Sequence, residues 1–258
     1  MSIKKTLLAA SILLAGTGFA IDSARAAGGG TELLHKAWPH DGIFGKFDKA
    51  AAQRGFQVYR EVCSGCHSLE FVAFRNFQDL GFSEDEVKAL AAEYEVTDGP
   101  DDEGEMFERP GKPFDQLPSP YPNENAARAA NGGAYPPDLS LIAKARANGT
   151  DYVYSLLQGY SDEPPADVEI GEGMSYNAYF AGHQIAMAQP LYEDGVDYAD
   201  GTETTLEQHA SDVATFLTWA AEPKLEERKG MGLKVMIFLV ILTGLFYATK
   251  RKVWADLH

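Results

Sequence analysis

The chain has 258 residues, of which 45% are hydrophobic and 23% charged, so it can bury one good core and still carry appended segments. Its formal net charge of −16 excludes nucleic acid as a partner, and it favours either a basic protein partner or simply a soluble surface. The two cysteines, Cys63 and Cys66, lie within one four-residue segment, unlike the dispersed disulfide cysteines of exported proteins.

The N-terminus predicts a cleaved secretory signal peptide. Two lysines precede an apolar segment from Leu7 to Phe19, and Ala24-Arg25-Ala26 places small residues where signal peptidase requires them. We expect residues 1–26 to be removed, because the apolar run is short for the alternative, an uncleaved membrane helix. Residues 1–26 carry a net charge of +2, so their removal leaves the mature chain, which starts near Ala27, at −18.

The next segment predicts a helix that ends in a cofactor-attachment motif. Apolar side chains recur at helical spacing from Asp48 to Val62 and lead into Cys63-Ser64-Gly65-Cys66-His67, the Cys-x-x-Cys-His pattern of c-type haem attachment. Two thiols three positions apart can both add to the vinyl groups of one porphyrin, and the adjacent imidazole can bind the iron. The motif therefore predicts one covalently bound haem c, attached to Cys63 and Cys66 and ligated by His67.

Other interpretations of the cysteine motif explain it less well. A zinc site needs four ligands, and the chain has no second cysteine pair. A thioredoxin-like redox pair usually follows a βα pattern, which the sequence lacks here. A chance disulfide or a pair of free thiols would leave the adjacent histidine unexplained, whereas export of the chain is independent support for a c-type haem.

The middle of the chain predicts short helices separated by long loops. Ser83-Glu84-Asp85-Glu86 has the capping-box pattern for a helix that continues to Tyr94. Two further short helices are predicted over Asp138–Arg146 and Asp151–Gln158. The acidic segment 98–125 holds six of the 13 prolines and shows no period, so we expect a surface loop there.

A haem that only transfers electrons needs a sixth ligand, which is usually methionine. Met187 lies in the small, apolar segment Ile185–Leu191, which is suited to lying against a porphyrin face, whereas Met174 lies in a polar, glycine-rich segment. The remaining methionines of the mature chain lie among acidic residues or in the apolar C-terminal segment. The residues alone favour Met187 and leave Met174, His183 as a second imidazole, and an open site as alternatives.

The C-terminal part predicts an amphipathic helix over Glu207–Ala221 and then a membrane anchor. Pro223 can begin a further helix, which we expect to cross the membrane over residues 227–250. Basic residues follow the apolar run at positions 250–252, and basic flanks argue against the alternative of a buried core helix.

The two ends of the chain together predict its topology. A signal peptide directs the remainder of the chain out of the cytoplasm, and the positive-inside rule retains the basic tail, residues 251–258, in the cytoplasm. We therefore expect a single-pass protein of the cell inner membrane. Residues 27–226 would form a haem domain on the periplasmic side, which is equivalent to the mitochondrial intermembrane space.

Beyond the haem motif, the sequence resembles the cytochrome c1 family, the haem subunits of ubiquinol–cytochrome c reductase (cytochrome bc1) complexes. The motif alone is common to all c-type cytochromes, but the other matching segments are together specific. They are Gln53-x-Gly55-x-Gln57-Val58-Tyr59, Ala127–Asn131, Pro136–Ser140, Asp151–Leu157, Ile185–Ala188 and Trp219–Pro223. The resemblance extends from about Phe44 to Trp254. It implies a mainly α fold: a cytochrome c-like haem domain with long loop insertions plus one C-terminal transmembrane helix.

The resemblance also implies further roles for individual residues. Met187 would be the axial methionine, Arg128 would lie near a haem propionate, and Pro136 and Pro137 would wall the haem pocket. Some bacterial relatives carry an extra cysteine pair that closes a disulfide near the methionine loop. This chain has no such pair, so we expect packing to hold its loop.

The function that the resemblance implies is electron transfer within an oxidoreductase complex, by a subunit that makes and breaks no substrate bonds itself. Electrons would arrive from the Rieske iron–sulfur protein and leave to cytochrome c, with cytochrome b and membrane lipid as neighbours in a dimeric complex. The rivals are a stand-alone membrane-tethered c-type electron carrier, an oxidase haem subunit and a structural membrane protein without haem. The acidic residues between positions 98 and 105 are a candidate docking face, although a solvated loop is the favoured interpretation.

Overall fold

The structure is a computed structural model that describes residues 31–166 and 168–255, and the predicted signal peptide, residues 1–26, lies outside them. In this part of the chain the protein forms seven α-helices and two antiparallel ribbons of two strands each. The helices are α1 (Lys49–Val58), α2 (Glu84–Ala92), α3 (Glu124–Ala130), α4 (Ile142–Ala145), α5 (Gly149–Gln158), α6 (Leu206–Ala221) and α7 (Leu225–Val253). The strands are β1 (Glu95–Asp98), β2 (Phe107–Pro110), β3 (Ser175–Tyr176) and β4 (Gln184–Ile185). A π-helical turn over Tyr59–Cys63 extends α1, and a 3₁₀ helix spans Phe74–Leu80.

The core lies between α1 and α6, which pack directly against each other. Phe56 of α1 has its ring centroid 4.3 Å from that of Phe77 in the 3₁₀ helix and 5.5 Å from that of Phe216 in α6. Trp219, one turn further along α6, packs 5.8 Å from Phe77. Because α6 also contacts α4 and α5, it is the central helix of the domain.

Two helices begin where the sequence predicts them. The capping box before α2 is complete, since Glu86 N donates to Ser83 Oγ at 3.2 Å and Ser83 N donates to the Glu86 carboxylate at 2.7 Å. The amphipathic helix predicted over Glu207–Ala221 is α6, whose N-cap Thr205 accepts from Gln208 N at 3.1 Å. Both signals depend only on residues within three positions of each other, so they do not require particular tertiary contacts.

The helix predicted over Asp138–Arg146 is shorter in the structure and begins only at Ile142. Two interactions keep the first residues of the segment out of the helix. The side chain of Asp138 accepts from Ser140 N at 2.8 Å, and Leu139 N donates to Ser68 O at 2.9 Å. An aspartate that bonds the backbone two residues onward forms a turn, which competes with helix formation.

The segment predicted as a loop over residues 98–125 contains strand β2, which pairs with β1 in the register Glu95↔Pro110 to Asp98↔Phe107. Arg109 secures this ribbon, because its guanidinium pairs with Asp98 and with Asp115, the latter at 2.6 Å. In the connecting turn the Asp101 side chain accepts from the backbone N–H groups of Glu103 and Glu105. The first half of the acidic segment, up to Pro110, is therefore part of a hairpin and not an irregular loop.

The C-terminal helix α7 has 29 residues and is about 43 Å long, which is enough to cross the hydrocarbon core of a bilayer. Leu225 in its first turn is buried against the domain, but the apolar window that comes after it is exposed and has a mean hydropathy of 2.1. Three basic residues occupy its last turn. This helix has the length, composition and exposure expected of the predicted anchor.

Helix α1 approaches α6 so closely that only glycine fits at position 55, because a Cβ there would lie 2.0 Å from the carbonyl oxygen of Asp212. We expect Gly55→Ala to lower the free energy of unfolding by about 1–3 kcal/mol through overpacking. Urea titration of the detergent-solubilised protein, followed by circular dichroism, measures the change. Gly171→Ala is the control, since its nearest neighbour would be 3.4 Å away. An equal loss in both variants would contradict the close helix contact.

Candidate haem site

The cysteine motif lies at the end of α1, where the helix widens. Over Tyr59–Cys63 the hydrogen bonds change to the π pattern, with Ser64 N donating to Tyr59 O at 2.8 Å. Cys66 N and His67 N then both donate to Cys63 O, at 3.1 and 2.9 Å. The motif is thus one compact turn joined to a rigid helix, and such single π turns occur frequently at functional sites.

The imidazole of His67 is held in one tautomer. Its Nδ1 lies 2.8 Å from the carbonyl oxygen of Pro137, and because a carbonyl can only accept, Nδ1 carries the proton. The lone pair of Nε2 is then available to a metal. Burial lowers the pKa of His67, so the ring is neutral at pH 7, the form that binds iron. Metal-ligating histidines characteristically have their other nitrogen fixed in this way, so His67 fits an axial ligand of haem.

Hydrogen bonds join the segment that carries Pro137 to the residues directly after the motif. The Asp138 carboxylate accepts from Ser68 Oγ at 2.8 Å and from Glu70 N at 2.9 Å. Phe71 N donates to the Ser140 hydroxyl at 3.1 Å. Sequence reasoning placed Pro137 in the pocket wall but missed both the orienting role of its carbonyl and the hydrogen bonds of Asp138.

A groove opens beside Cys66, and Pro136 lies in its wall. Tyr121 also lines the groove, with its hydroxyl 3.9 Å from Cys66 Sγ and accepting from Asn131 Nδ2 at 3.1 Å. The groove is further lined by Ser68, Glu70, Ala127 and Tyr135. The groove lies directly beside a cysteine of the motif, and its lining mixes prolines and aromatic rings with polar and charged side chains.

Arg128 lies on α3, the helix whose Ala127 lines the groove. Its guanidinium pairs with Glu124 one turn earlier, at 2.6 Å, and donates to Gly133 O at 3.0 Å. The Arg128 side chain is 47% exposed. Its predicted contact with a propionate stays a prediction, and Glu124 is the carboxylate that it binds in this structure.

Cys63 lacks the lowered thiol pKa that a reactive Cys-x-x-Cys nucleophile needs. Both are free thiols; Cys63 is half-buried against the core and Cys66 is exposed. Burial raises the pKa of the Cys63 thiol to about 12, whereas reactive Cys-x-x-Cys pairs depend on a lowered thiol pKa. In the described residues no group of three or more His, Cys, Asp or Glu side chains is arranged as a metal site.

The candidate sixth ligands fall at opposite ends of one ribbon. Strands β3 and β4 pair with Ser175 opposite Ile185, so Met174 and Met187 both lie at the open end of the ribbon. Met187 is half-buried there. His183 lies at the closed end, where its Nδ1 is 3.1 Å from Ala178 O and its ring stacks on Tyr176. The fold therefore brings the two methionines together and separates them from His183.

The chain is similar to known proteins along most of its length. The profile described as the Cytochrome C1 family matches residues 38–257, which is most of the chain. "Cytochrome c1" of Rhodospirillum rubrum is 49% identical, covering 98% of this chain and 97% of the relative. The "Cytochrome b-c1 complex catalytic subunit, mitochondrial" of Candida albicans is 52% identical, covering 98% and 88%. The chain belongs to the cytochrome c1 family.

A third relative is longer than this chain. "Cytochrome b/c1" of Bradyrhizobium diazoefficiens is 48% identical over the whole chain, and the chain spans only 40% of that relative's length. Membership of the cytochrome c1 family confirms the family resemblance, the mainly α fold class and the electron-transfer role that the sequence predicts. A cytochrome is a haem protein, so the family also implies the haem cofactor, and the apolar α7 agrees with a membrane-anchored protein.

In this member of the cytochrome c1 family, a polar network ties the segment after Met187 to α1. The guanidinium of Arg54 binds both carboxylate oxygens of Asp212 in α6, at 2.8 and 3.0 Å, and reaches Asp200 at 3.1 Å. Gln57 Nε2 donates to Asp197 O at 2.9 Å. Packing stays the predicted means of holding this segment in place of a disulfide, and the ion pair beside it is buried, since Asp212 is only 1% exposed.

We expect Arg54→Met to lower the free energy of unfolding by about 3–5 kcal/mol, because it leaves the buried Asp212 carboxylate without a partner. Arg60→Met is the matched control, since Arg60 pairs with Glu93 where both side chains are 42% or more exposed, and such a pair contributes less than about 1 kcal/mol. Urea titration in detergent measures both. Arg54→Met/Asp212→Leu should recover part of the loss, and equal effects of the two single variants would refute the network.

Proposed function

We propose that the chain is the haem-bearing electron-transfer subunit of a cytochrome bc1 complex, a quinol–cytochrome c oxidoreductase. It would hold one haem c through thioethers at Cys63 and Cys66, with His67 and Met187 as axial ligands. The observation that carries the proposal is the hydrogen bond from His67 Nδ1 to Pro137 O, which presents Nε2 as a neutral ligand directly after the two cysteines.

Haem supplies one-electron chemistry, since its iron alternates between the ferric and ferrous states. The protein does the rest. Thioethers at Cys63 and Cys66 keep the cofactor attached, and the Pro137 carbonyl increases the basicity of His67 through its hydrogen bond. A methionine ligand at position 187 raises the reduction potential. Because no side chain has to gain or lose a substrate bond, the subunit by itself is an electron conductor within the larger oxidoreductase.

We infer that electrons arrive from the Rieske iron–sulfur protein, leave to cytochrome c, and that cytochrome b is a neighbour within a dimeric complex. The names of two relatives support the cytochrome b neighbour, since one is called a cytochrome b-c1 complex subunit and the other cytochrome b/c1. A net charge of −18 on the mature chain supports a basic electron acceptor, because complementary charge accelerates encounter.

The proposed topology places residues 27–226 on the periplasmic side of the inner membrane, residues 227–250 in the bilayer and residues 251–258 in the cytoplasm. The exposed apolar surface of α7 and the three basic residues of its last turn support this orientation. Co-purification separates the proposal from a stand-alone carrier or an oxidase subunit. A complex with cytochrome b and the Rieske protein supports the proposal, and an isolated haem protein contradicts it.

We expect Met187→Leu to lower the reduction potential strongly, because the iron loses a methionine ligand, while the protein stays coloured after acid-acetone extraction. Covalent attachment depends on Cys63 and Cys66 and not on the sixth ligand. Redox titration with reduced-minus-oxidised spectra measures the potential, and haem staining of the denatured chain measures the attachment.

Met174→Leu is the matched control for this experiment, because Met174 lies at the same end of the ribbon and the substitution is also methionine to leucine. It should retain the wild-type potential. A drop with Met174→Leu and none with Met187→Leu would reverse the ligand assignment. Loss of colour from the denatured wild type would end the proposal of a covalent haem.

We expect the rate of electron transfer to a basic cytochrome c to fall roughly tenfold or more between low and high ionic strength, since salt screens the attraction of the acidic surface. Stopped-flow kinetics of the reduced protein measure the rate. The variant Asp102→Asn/Glu103→Gln/Glu105→Gln should keep this dependence if the hairpin turn is merely solvated. A wild-type rate that does not change with ionic strength would contradict a role of surface charge in docking.

A further inference from the structure

We propose that Ile43 and Phe44 form a second contact with the membrane, in which both side chains enter the phospholipid headgroup region beside α7. The proposal rests on the membrane anchor, and it adds to that anchor a surface of the haem domain. These two side chains are 69% and 78% exposed, whereas most apolar residues of the domain lie in its core. Adjacent large apolar side chains displayed together mark an interaction surface.

The loop that carries them is rigid, so their exposure is built into the fold. Trp38 and His40 before the pair and Phe47 after it are each at least 91% buried. Lys46 N donates to Pro39 O at 2.9 Å and closes the loop. At Gly45 a Cβ would lie 1.9 Å from Asp41 O, so no other residue fits this turn.

The loop is fastened to the first turns of α7. Phe47 N donates to the Glu226 carboxylate at 3.0 Å, and Lys229 Nζ donates to His40 O. Ile43 and Phe44 line a groove whose other wall is formed by α7 residues that include Gly230 and Leu233. The loop therefore lies at a fixed level along α7.

That level coincides with the edge of the bilayer. A spanning helix needs about 20 residues at 1.5 Å each to cross about 30 Å of hydrocarbon. Counting about 20 residues back from Lys250, where the basic cluster begins, reaches Gly230. Since Gly230 lines the same groove as Ile43 and Phe44, the loop lies where hydrocarbon gives way to headgroups.

The chemistry of the loop favours lipid as its occupant. Phenylalanine and large aliphatic side chains on a surface beside basic residues are typical of segments that lie in a membrane interface. Lys46 follows Phe44 by two residues and is exposed, so its ammonium can meet a lipid phosphate. Lys234 on α7 is exposed at a similar level.

The test is photo-crosslinking from position 44 in native membranes. The photoreactive residue p-benzoylphenylalanine replaces Phe44 in the full chain within its complex, and the illuminated protein is analysed by gel and intact mass. We expect the main product to gain the mass of one phospholipid. A product that contains another protein subunit, or no adduct at all, would overturn the proposal.

Two further positions serve as a positive and a negative control. The same residue at Phe238, in the middle of α7 and 60% exposed, should form a lipid adduct, and failure there would refute the membrane anchor itself. At Phe114, which is 57% exposed beside the acidic hairpin, no lipid adduct is expected. A lipid adduct at Phe238 without one at Phe44 would refute the loop contact alone. Retention of the wild-type visible spectrum checks that each variant is folded.

Discussion

The hydrogen bond between His67 Nδ1 and the carbonyl oxygen of Pro137 is the interaction on which the site depends, and it joins residues 70 positions apart. Without it the ring could turn and expose either nitrogen. Two further contacts hold this bond in place. Asp138, next to Pro137, accepts from Ser68 Oγ, next to His67. The hydroxyl of Tyr59, a fully buried side chain, donates to His67 O at 2.9 Å. A single tautomer is thus maintained by the packing of two separate segments.

Helix α1 connects the cysteine motif both to α6 and to the segment after the predicted ligand Met187. Helix α1 carries the cysteine motif at its end, and its Arg54 binds α6 and the segment that comes after Met187. Gly55 lets α1 approach α6 closely enough for this ion pair to be buried. A relative displacement of α1 and α6 would therefore have to break a charged, desolvated contact.

The domain and its anchor are mechanically connected. Leu225 is buried in the domain, and the loop around Ile43 and Phe44 binds the next turns of α7, so the helix leaves the domain in a defined direction. A fixed direction would hold the domain at a constant height above a bilayer that α7 crosses.

The sequence alone determined those features that depend on neighbouring residues. The attachment motif with His67, the capping box at Ser83, the amphipathic α6 and the apolar α7 are all local patterns, and the structure contains each of them. The family was also evident from short matching segments. The roles of the predicted site residues Cys63, Cys66, Met187, Arg128 and Pro136 stay predictions until the cofactor-loaded protein is measured.

Only the tertiary structure decided which distant segments meet. It began α4 at Ile142, because Asp138 is engaged with Ser68 and Glu70. It also paired β1 with β2, a strand in a segment whose composition indicates a loop. It joined Arg54 to Asp212, 158 positions away. Charged and hydrogen-bonding side chains can pair with many partners, so their choice follows from packing geometry, which no local pattern of residues encodes.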